Sequence, residues 1–457
     1  MVPCIQTLAH LERALHWPQI DPDTRDTEDI LMVDEPKTYA WIEDMITALR
    51  AAFRSRRIHI GMDEAWMLGL GNYRLRHGIE PAHRLMARHL EKVRDIARRH
   101  GFTPMIWSDM YLCAASPTGE YYNAVDPIPE EVVRSVCEGV SLVYWDYCHE
   151  DGQDYDRMLR LHRQFGGETM FAGGLWTWIG PAPAQDKMRR ASLPALRACE
   201  ENGVDTVVGT AWGDNGAECS LLAALYGMQL YAEYNYTGAT DTDWLDARFL
   251  ACTGEPAAPF ALMSQFNTPP GIVSRNENPV NVSKFLLYED PLIPLYARDT
   301  QGMRFCDFYA DLAERFAAFR GQTPAFEKLY RFYEAFARLM AAKCRWRENL
   351  PALRAETAEQ GIALAQDCRA EIARCRLAWE ALWEQVNKPF GYEIIDLRLS
   401  GLDGRYETTL RKLERLRGGD TAVLALVREE KLRALSDEEG RFYGIGAWSD
   451  CVSACKI

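Results

Sequence analysis

Apolar and polar positions follow two rhythms along the chain. Up to about residue 230, short apolar runs at 2–6, 58–62, 104–109, 142–145, 169–173 and 206–210 alternate with amphipathic stretches such as 38–53, 83–100 and 154–165. Short apolar runs spaced by helical patterns predict parallel strands joined by crossover helices. From about Asp307 onward the rhythm changes. One apolar stripe runs Phe326, Leu329, Tyr333, Phe336, Met340, and another Ile372, Cys375, Trp379, Leu382, Val386, stopping before Pro389 and Gly391. Steps of three and four residues predict helices that bury one face, and aromatic stripes of this kind read as core rather than as a ligand site. Between the two regions, Pro269-Pro270-Gly271 and the polar residues 276–281 read as linker or loop. The boundaries expected are 1–235 for the α/β part, 236–306 for a connecting segment and 307–457 for a helical C-terminal domain.

Residues with chemistry to offer follow nearly every apolar run: His10, Asp63 and Glu64, Trp107 and Asp109, Tyr144 and Asp146, Trp176, and Trp212 with Asp214. Function gathered at the C-terminal ends of parallel strands is the layout of a TIM barrel. Only six strands can be counted, where a closed (β/α)8 barrel has eight. The alternatives are an open sheet or a barrel lacking two strands.

Composition narrows the partners. The chain has 52 lysines and arginines against 66 aspartates and glutamates, a formal charge of −14, so its field repels polyanions and argues against nucleic acid. No apolar run approaches the roughly 18 residues of a membrane span. Thirteen cysteines, scattered and odd in number, favour a reducing cytoplasm over a disulfide framework. The close pair Cys451 and Cys455 lacks the further ligands a structural zinc wants.

The most informative stretch is Ile58-His59-Ile60-Gly61-Met62-Asp63-Glu64. Side chains alternate on a strand, so His59, Gly61 and Asp63 share one face and Ile58, Ile60 and Met62 the other. The apolar face suits packing on helices. The other turns a histidine and a carboxylate inward, and Glu64 adds a second carboxylate at the strand end. Adjacent carboxyls in unequal environments hold one ionised and the other protonated at neutral pH. Trp107, Trp145, Trp176, Trp178 and Trp212 recur near strand ends with polar neighbours. Aromatic walls rimmed by carboxylates match the flat C–H faces and hydroxyl edges of sugars.

With those residues in view, the His59-to-Glu64 stretch resembles the catalytic signature of the family 20 glycoside hydrolases, the exo-β-N-acetylhexosaminidases. Tyr144-Trp145-Asp146 resembles that family's tyrosine-x-aspartate after strand six, and Trp212-Gly213-Asp214 its tryptophan-x-acid after strand eight. The segment from Ile5 to Glu12, with His10, resembles its histidine-bearing loop after strand three, in bacterial members with a helical C-terminal extension. The resemblance implies a barrel that begins at its third strand, so that the arginine and aspartate supplied by the family's first two strands have no counterpart here, and Met1 reads as a misassigned start or a fragment edge.

What the resemblance implies is substrate-assisted retention, in which the sugar's acetamido oxygen attacks its own anomeric carbon to give an oxazolinium. Asp63 would orient the acetamido nitrogen, Tyr144 would bond the acetamido oxygen, and Glu64 would protonate the leaving oxygen and then activate water. Trp107, Trp176 and Trp212 would wall the sugar, Asp146 and Asp214 would bind hydroxyls, and His10 and His59 would lend support from behind. Neither metal nor organic cofactor is implied, and the partner is a glycan. Three other readings are weaker: a divalent-metal hydrolase using His59, Asp63 and His83, which lack tight ligand spacing; a dinucleotide loop at Gly69-Leu70-Gly71, which Arg74 spoils; and a non-catalytic or vestigial carbohydrate-binding barrel.

Overall fold

A computed structural model describes residues 1–321 and 323–444 of the chain. Cys451 and Cys455 lie outside the described residues. Two compact units are present, one formed by Met1–Gly173 with Pro194–Val208, the other by Gly174–Leu193 with the chain from Gly209 onward.

The sheet is a partial TIM barrel of five strands, which the first unit contains apart from the last residue of β4 and the last two of β5: β1 Arg57–His59, β2 Thr103–Trp107, β3 Ser141–Trp145, β4 Thr169–Gly174 and β5 Val207–Thr210. They lie side by side in chain order. The register sets Ile58 beside Pro104, Ile106 beside Leu142 and Val143 beside Met170, all parallel. The run at 2–6 was expected to be a sixth strand and is instead a single parallel bridge, Cys4 to His59. The His59 N–H donates to the Pro3 carbonyl at 2.9 Å and the Ile5 N–H to the His59 carbonyl at 3.0 Å. Pro3 has no N–H to extend the ladder, and at the other end the Thr7 hydroxyl takes the Ile60 carbonyl at 2.7 Å.

Alternation on the strands sorts two cores. Ile58, Ile60, Met62, Ile106, Leu142, Tyr144 and Phe171 join the large outer cluster packed by the crossover helices. In helix Ala82–Arg99 the buried positions Leu85, Met86, His89, Leu90, Val93, Ile96 and Ala97 form the matching stripe. Met105, Trp107, Val143, Met170 and Ala172 form a smaller inner cluster on the opposite face, with Trp145 packed against both.

The second unit is helical. Its longest helices are Glu327–Asn349, Ala358–Val386 and Tyr392–Arg417. Leu329, Tyr333, Phe336 and Met340 are fully buried, as are Cys375 and, nearly so, Ile372, Trp379 and Leu382. The two stripes meet where the rings of Phe336 and Trp379 lie 6.5 Å apart, with Phe332 beside them at 4.8 Å from Trp379. The connecting stretch also carries structure: helices Thr242–Thr253, Ala258–Ser264 and Val282–Tyr288, the last buried along its whole length. Lys284 of that helix meets the buried Glu218 at 2.8 Å, and Arg398 of Tyr392–Arg417 meets the same carboxylate at 2.9 Å.

Candidate active site

The C-terminal end of β1 carries the site, and glycine makes it possible. Gly61 has φ +71°, and a Cβ there would lie 1.9 Å from Oε1 of Gln6. Its absence lets the Gln6 amide enter. That amide accepts the Met62 N–H at 3.1 Å through its oxygen and donates to Asp63 Oδ1 at 2.8 Å through its nitrogen. His10 Nε2 approaches Asp63 Oδ2 at 3.2 Å and Glu64 Oε2 at 3.5 Å. Met62, Glu64 and His10 all have positive φ, +75°, +51° and +57°. Non-glycine residues hold such conformations only where the surroundings dictate them, typically at functional sites.

The two carboxyls differ in exposure and partners. The Asp63 side chain is 16% exposed and that of Glu64 42%. Burial pushes the Asp63 carboxyl up, but the hydrogen bonds from His10 and Gln6 outweigh it and hold Asp63 below its ordinary range. Reciprocally, the hydrogen bond to Asp63 lifts His10 to about 8, so the imidazolium and the carboxylate coexist at neutral pH.

His59 lies on the inner face, its ring 4.3 Å from that of Trp107. Burial depresses its pKa to about 4, so it is neutral. Nδ1 accepts the Gly61 N–H at 3.1 Å, which leaves the proton on Nε2. That nitrogen is buried with no hydrogen-bond partner among the described residues.

Two groups of this site have no role that the sequence alone assigns. The signal for Gln6 is indirect: a glycine two residues before the carboxylate marks a close approach to the backbone there. Asp109 is marked only by its place after a strand. It is completely buried, and its Oδ2 accepts the Glu64 N–H at 2.8 Å.

Tyr144 and Asp146 are not brought to this site. On β3 the inner-face positions are Val143 and Trp145, so Tyr144 points to the helices, with no exposure and its ring 4.9 Å from that of His162. Its hydroxyl donates to Asp146 Oδ2 at 2.7 Å. Asp146 also accepts from the Cys148 and His149 N–H groups and lies 2.7 Å from His149 Nδ1. It is an internal anchor for the turn after β3, not an open rim group. Tyr147, half-buried, stacks on Trp145 at 5.3 Å.

The remaining candidates belong to the second unit. Trp176 is fully buried at φ +54° and stacks on Trp178 at 4.7 Å. Trp212 is 38% exposed, and its carbonyl accepts the Thr177 hydroxyl at 3.1 Å. Asp214, exposed, opens the short helix Asp214–Ala217. Among the described residues no three His, Cys, Asp or Glu side chains gather to hold a metal ion, and His83 meets Glu131 at 3.7 Å instead.

Comparison with known proteins supplies the family. No curated protein sequence matches the chain. Similar solved structures include the Streptomyces plicatus N-acetyl-β-hexosaminidase in complex with Thio-NAglucal, at 20% identity, covering 39% of this chain and 32% of that one, with a TM-score of 0.26. The Vibrio harveyi exo β-N-acetylglucosaminidase in complex with N-acetylglucosamine gives 13% identity, 57% and 43% coverage, and 0.35. The Flavobacterium johnsoniae chitobiase gives 13%, 93% and 62%, and 0.36. The chain spans about a third of the Streptomyces enzyme and less than two thirds of the other two. Two family models match: glycosyl hydrolase family 20, catalytic domain, over residues 8–133, and glycoside hydrolase 20C C-terminal domain, over residues 258–442. The first contains His10, His59, Asp63, Glu64 and Trp107, the second the helices that follow, and the chain belongs to glycoside hydrolase family 20.

Proposed function

We propose that the protein is a retaining exo-β-N-acetylhexosaminidase, removing terminal β-linked N-acetylglucosamine or N-acetylgalactosamine with the help of the substrate's own acetamido group. One observation carries the reading: two adjacent carboxyls at a strand end, of which Asp63 is the more enclosed and is kept ionised by Gln6 and His10, while the Glu64 side chain is the more exposed. In this reading Asp63 accepts the acetamido N–H and balances the positive charge that grows as the acetamido oxygen bonds to the anomeric carbon. Glu64 gives its proton to the glycosidic oxygen as that bond breaks. The resulting carboxylate then takes a proton from the water that opens the oxazolinium, which restores the acid. Since the carboxylate nucleophile of ordinary retaining enzymes is replaced by the substrate, no third carboxylate is needed.

Trp107, whose ring lies 4.3 Å from that of His59, is assigned to the floor under the acetamido group. The Tyr144 hydroxyl is already engaged by Asp146. We therefore assign the acetamido oxygen to Tyr147, and Tyr144 and Asp146 to holding the turn that carries it. The test is hydrolysis of 4-nitrophenyl N-acetyl-β-glucosaminide and -galactosaminide beside the plain β-glucoside. Turnover of the acetamido sugars alone, inhibited by a thiazoline mimic of the cyclised intermediate, is expected. Comparable turnover of the plain glucoside, or none of any substrate by the folded protein, overturns the reading.

A further inference from the structure

We propose that Asp109 is a positioning residue for Glu64: its buried carboxyl clamps the main-chain N–H of the acid and so fixes where the Glu64 carboxyl can reach. The inference rests on the reading of Glu64 as proton donor.

Glu64 sits in the left-handed region at φ +51°, a conformation that a glutamate keeps only when something external holds it. The hold comes from a different strand end. Asp109 follows β2, is fully buried, and takes the Glu64 N–H at 2.8 Å on Oδ2. The Trp145 side chain of β3 lies near enough to the same carboxyl to favour its charged form. The end of β1 is thus tied to the end of β2 at one group. Its other oxygen, Oδ1, is buried with no hydrogen-bond partner among the described residues. A carboxyl kept dry and half-satisfied costs stability, and none of the proposed chemical steps uses it. A clamp on the acid explains the position that packing does not.

The surroundings also give the clamp an ionisation. Burial, and then the charge of Asp63, push the Asp109 carboxyl up to about 7, with Glu64 adding in the same direction and the bond from the Glu64 N–H and the nearby Trp145 side chain opposing. Tyr111, Cys113 and Tyr121 are the other titratable groups that feel its charge. All three are pushed upward themselves and stay neutral near pH 7, so Asp63 and Glu64 are the charges that matter.

Two variants separate positioning from mere structure. Asp109→Asn keeps an oxygen for the Glu64 N–H, so kcat should stay within about threefold of the parent while an ionisation near pH 7 disappears from its pH profile. Asp109→Ala releases the acid. Its kcat on a poor leaving group should fall about 100-fold, and on 2,4-dinitrophenolate, which needs little protonation, less than about tenfold, with KM little changed. Equal losses on both leaving groups in the folded Ala variant, or an unchanged pH profile in the Asn variant, overturn the proposal. Should the parent hydrolyse no acetamido sugar, the proposed function fails but the clamp stays testable by hydrogen exchange of the peptide covering Glu64. Protection lost in Ala and kept in Asn supports the clamp; equal exchange in all three overturns it.

Discussion

From Ile58 to Ile60 the alternation of side chains places each residue, and the same order of faces persists to Asp63 although Gly61 and Met62 leave the strand conformation at positive φ. Ile58, Ile60 and Met62 are buried among the helices, while His59 faces Trp107 and Asp63 faces Gln6 and His10. The same rule, applied to β3, turns Val143 and Trp145 inward and Tyr144 outward; motif resemblance alone obscured this. Gln6 and Asp109 were hidden for another reason. Each reaches the site across 45 residues or more of chain, and nothing local to either marks the contact. The residue-scale predictions follow from the partners. Glu64→Gln should slow poor leaving groups by about 10²–10⁴ and good ones far less, whereas Asp63→Asn should slow both, since the acetamido group needs orienting in either case. Leaving-group dependence in steady-state rates checks this, and equal losses for Glu64→Gln would remove it from the acid role. Tyr147→Phe should lower kcat about tenfold or more with little change in melting temperature, whereas Tyr144→Phe should lower the melting temperature, because Asp146 loses a buried donor. The reverse pattern would return the acetamido contact to Tyr144.

At the scale of elements, long one-sided periodicities were legible and short ones less so. The stripes through Tyr333 and Trp379 became buried helix faces because ten or more residues repeat the signal. The run at 2–6 has the composition of a strand but only one residue that bridges, since Pro3 and Thr7 close it off. The helices and strands of the first unit also share a pH signature. His59, His89 and His162 are each depressed by burial to about 4. An imidazole that titrates near 6.5 when unfolded takes up a proton on unfolding between pH 4 and 6.5, so its contribution to stability falls as pH falls through that window, by up to about 1.4 kcal/mol per pH unit. Asp109, raised to about 7, has the opposite sign there and offsets one of the three. His10, raised to about 8 by Asp63, contributes stability that is complete below 6.5 and lost as pH rises through 8. The first unit should therefore be most stable near pH 6.5, with the steeper fall on the acid side. Urea midpoints from pH 4.5 to 8.5 would show it, and a flat profile below 6.5 would mean that these histidines are not buried neutral. His162→Gln should flatten that acid limb.

At the scale of the whole polypeptide, the sheet ends rather than closes among the described residues. β2 and β3 are buried along nearly their whole length, whereas β5, last in the sheet order, leaves Val208 40% exposed and Gly209 open to solvent. At the other side the bridge at Cys4 stands beside an exposed Cys4 and a Val2 that is 46% exposed. Parallel sheets are normally covered on both faces and along both edges, and an uncovered apolar edge strand is a template for pairing with another chain. Residues 1–457 produced as one polypeptide should accordingly self-associate with rising concentration, the β5 edge pairing with its counterpart in a second copy. Light scattering after size-exclusion chromatography would detect it as a mass that grows with loading. Val208→Lys adds a charge to the exposed edge without touching the inner cluster of Met105, Trp107, Val143, Met170 and Ala172, and should return the protein toward monomer. A mass that stays monomeric at every loading, or a Val208→Lys variant that associates as strongly as the parent, would show that β5 is not the edge that pairs.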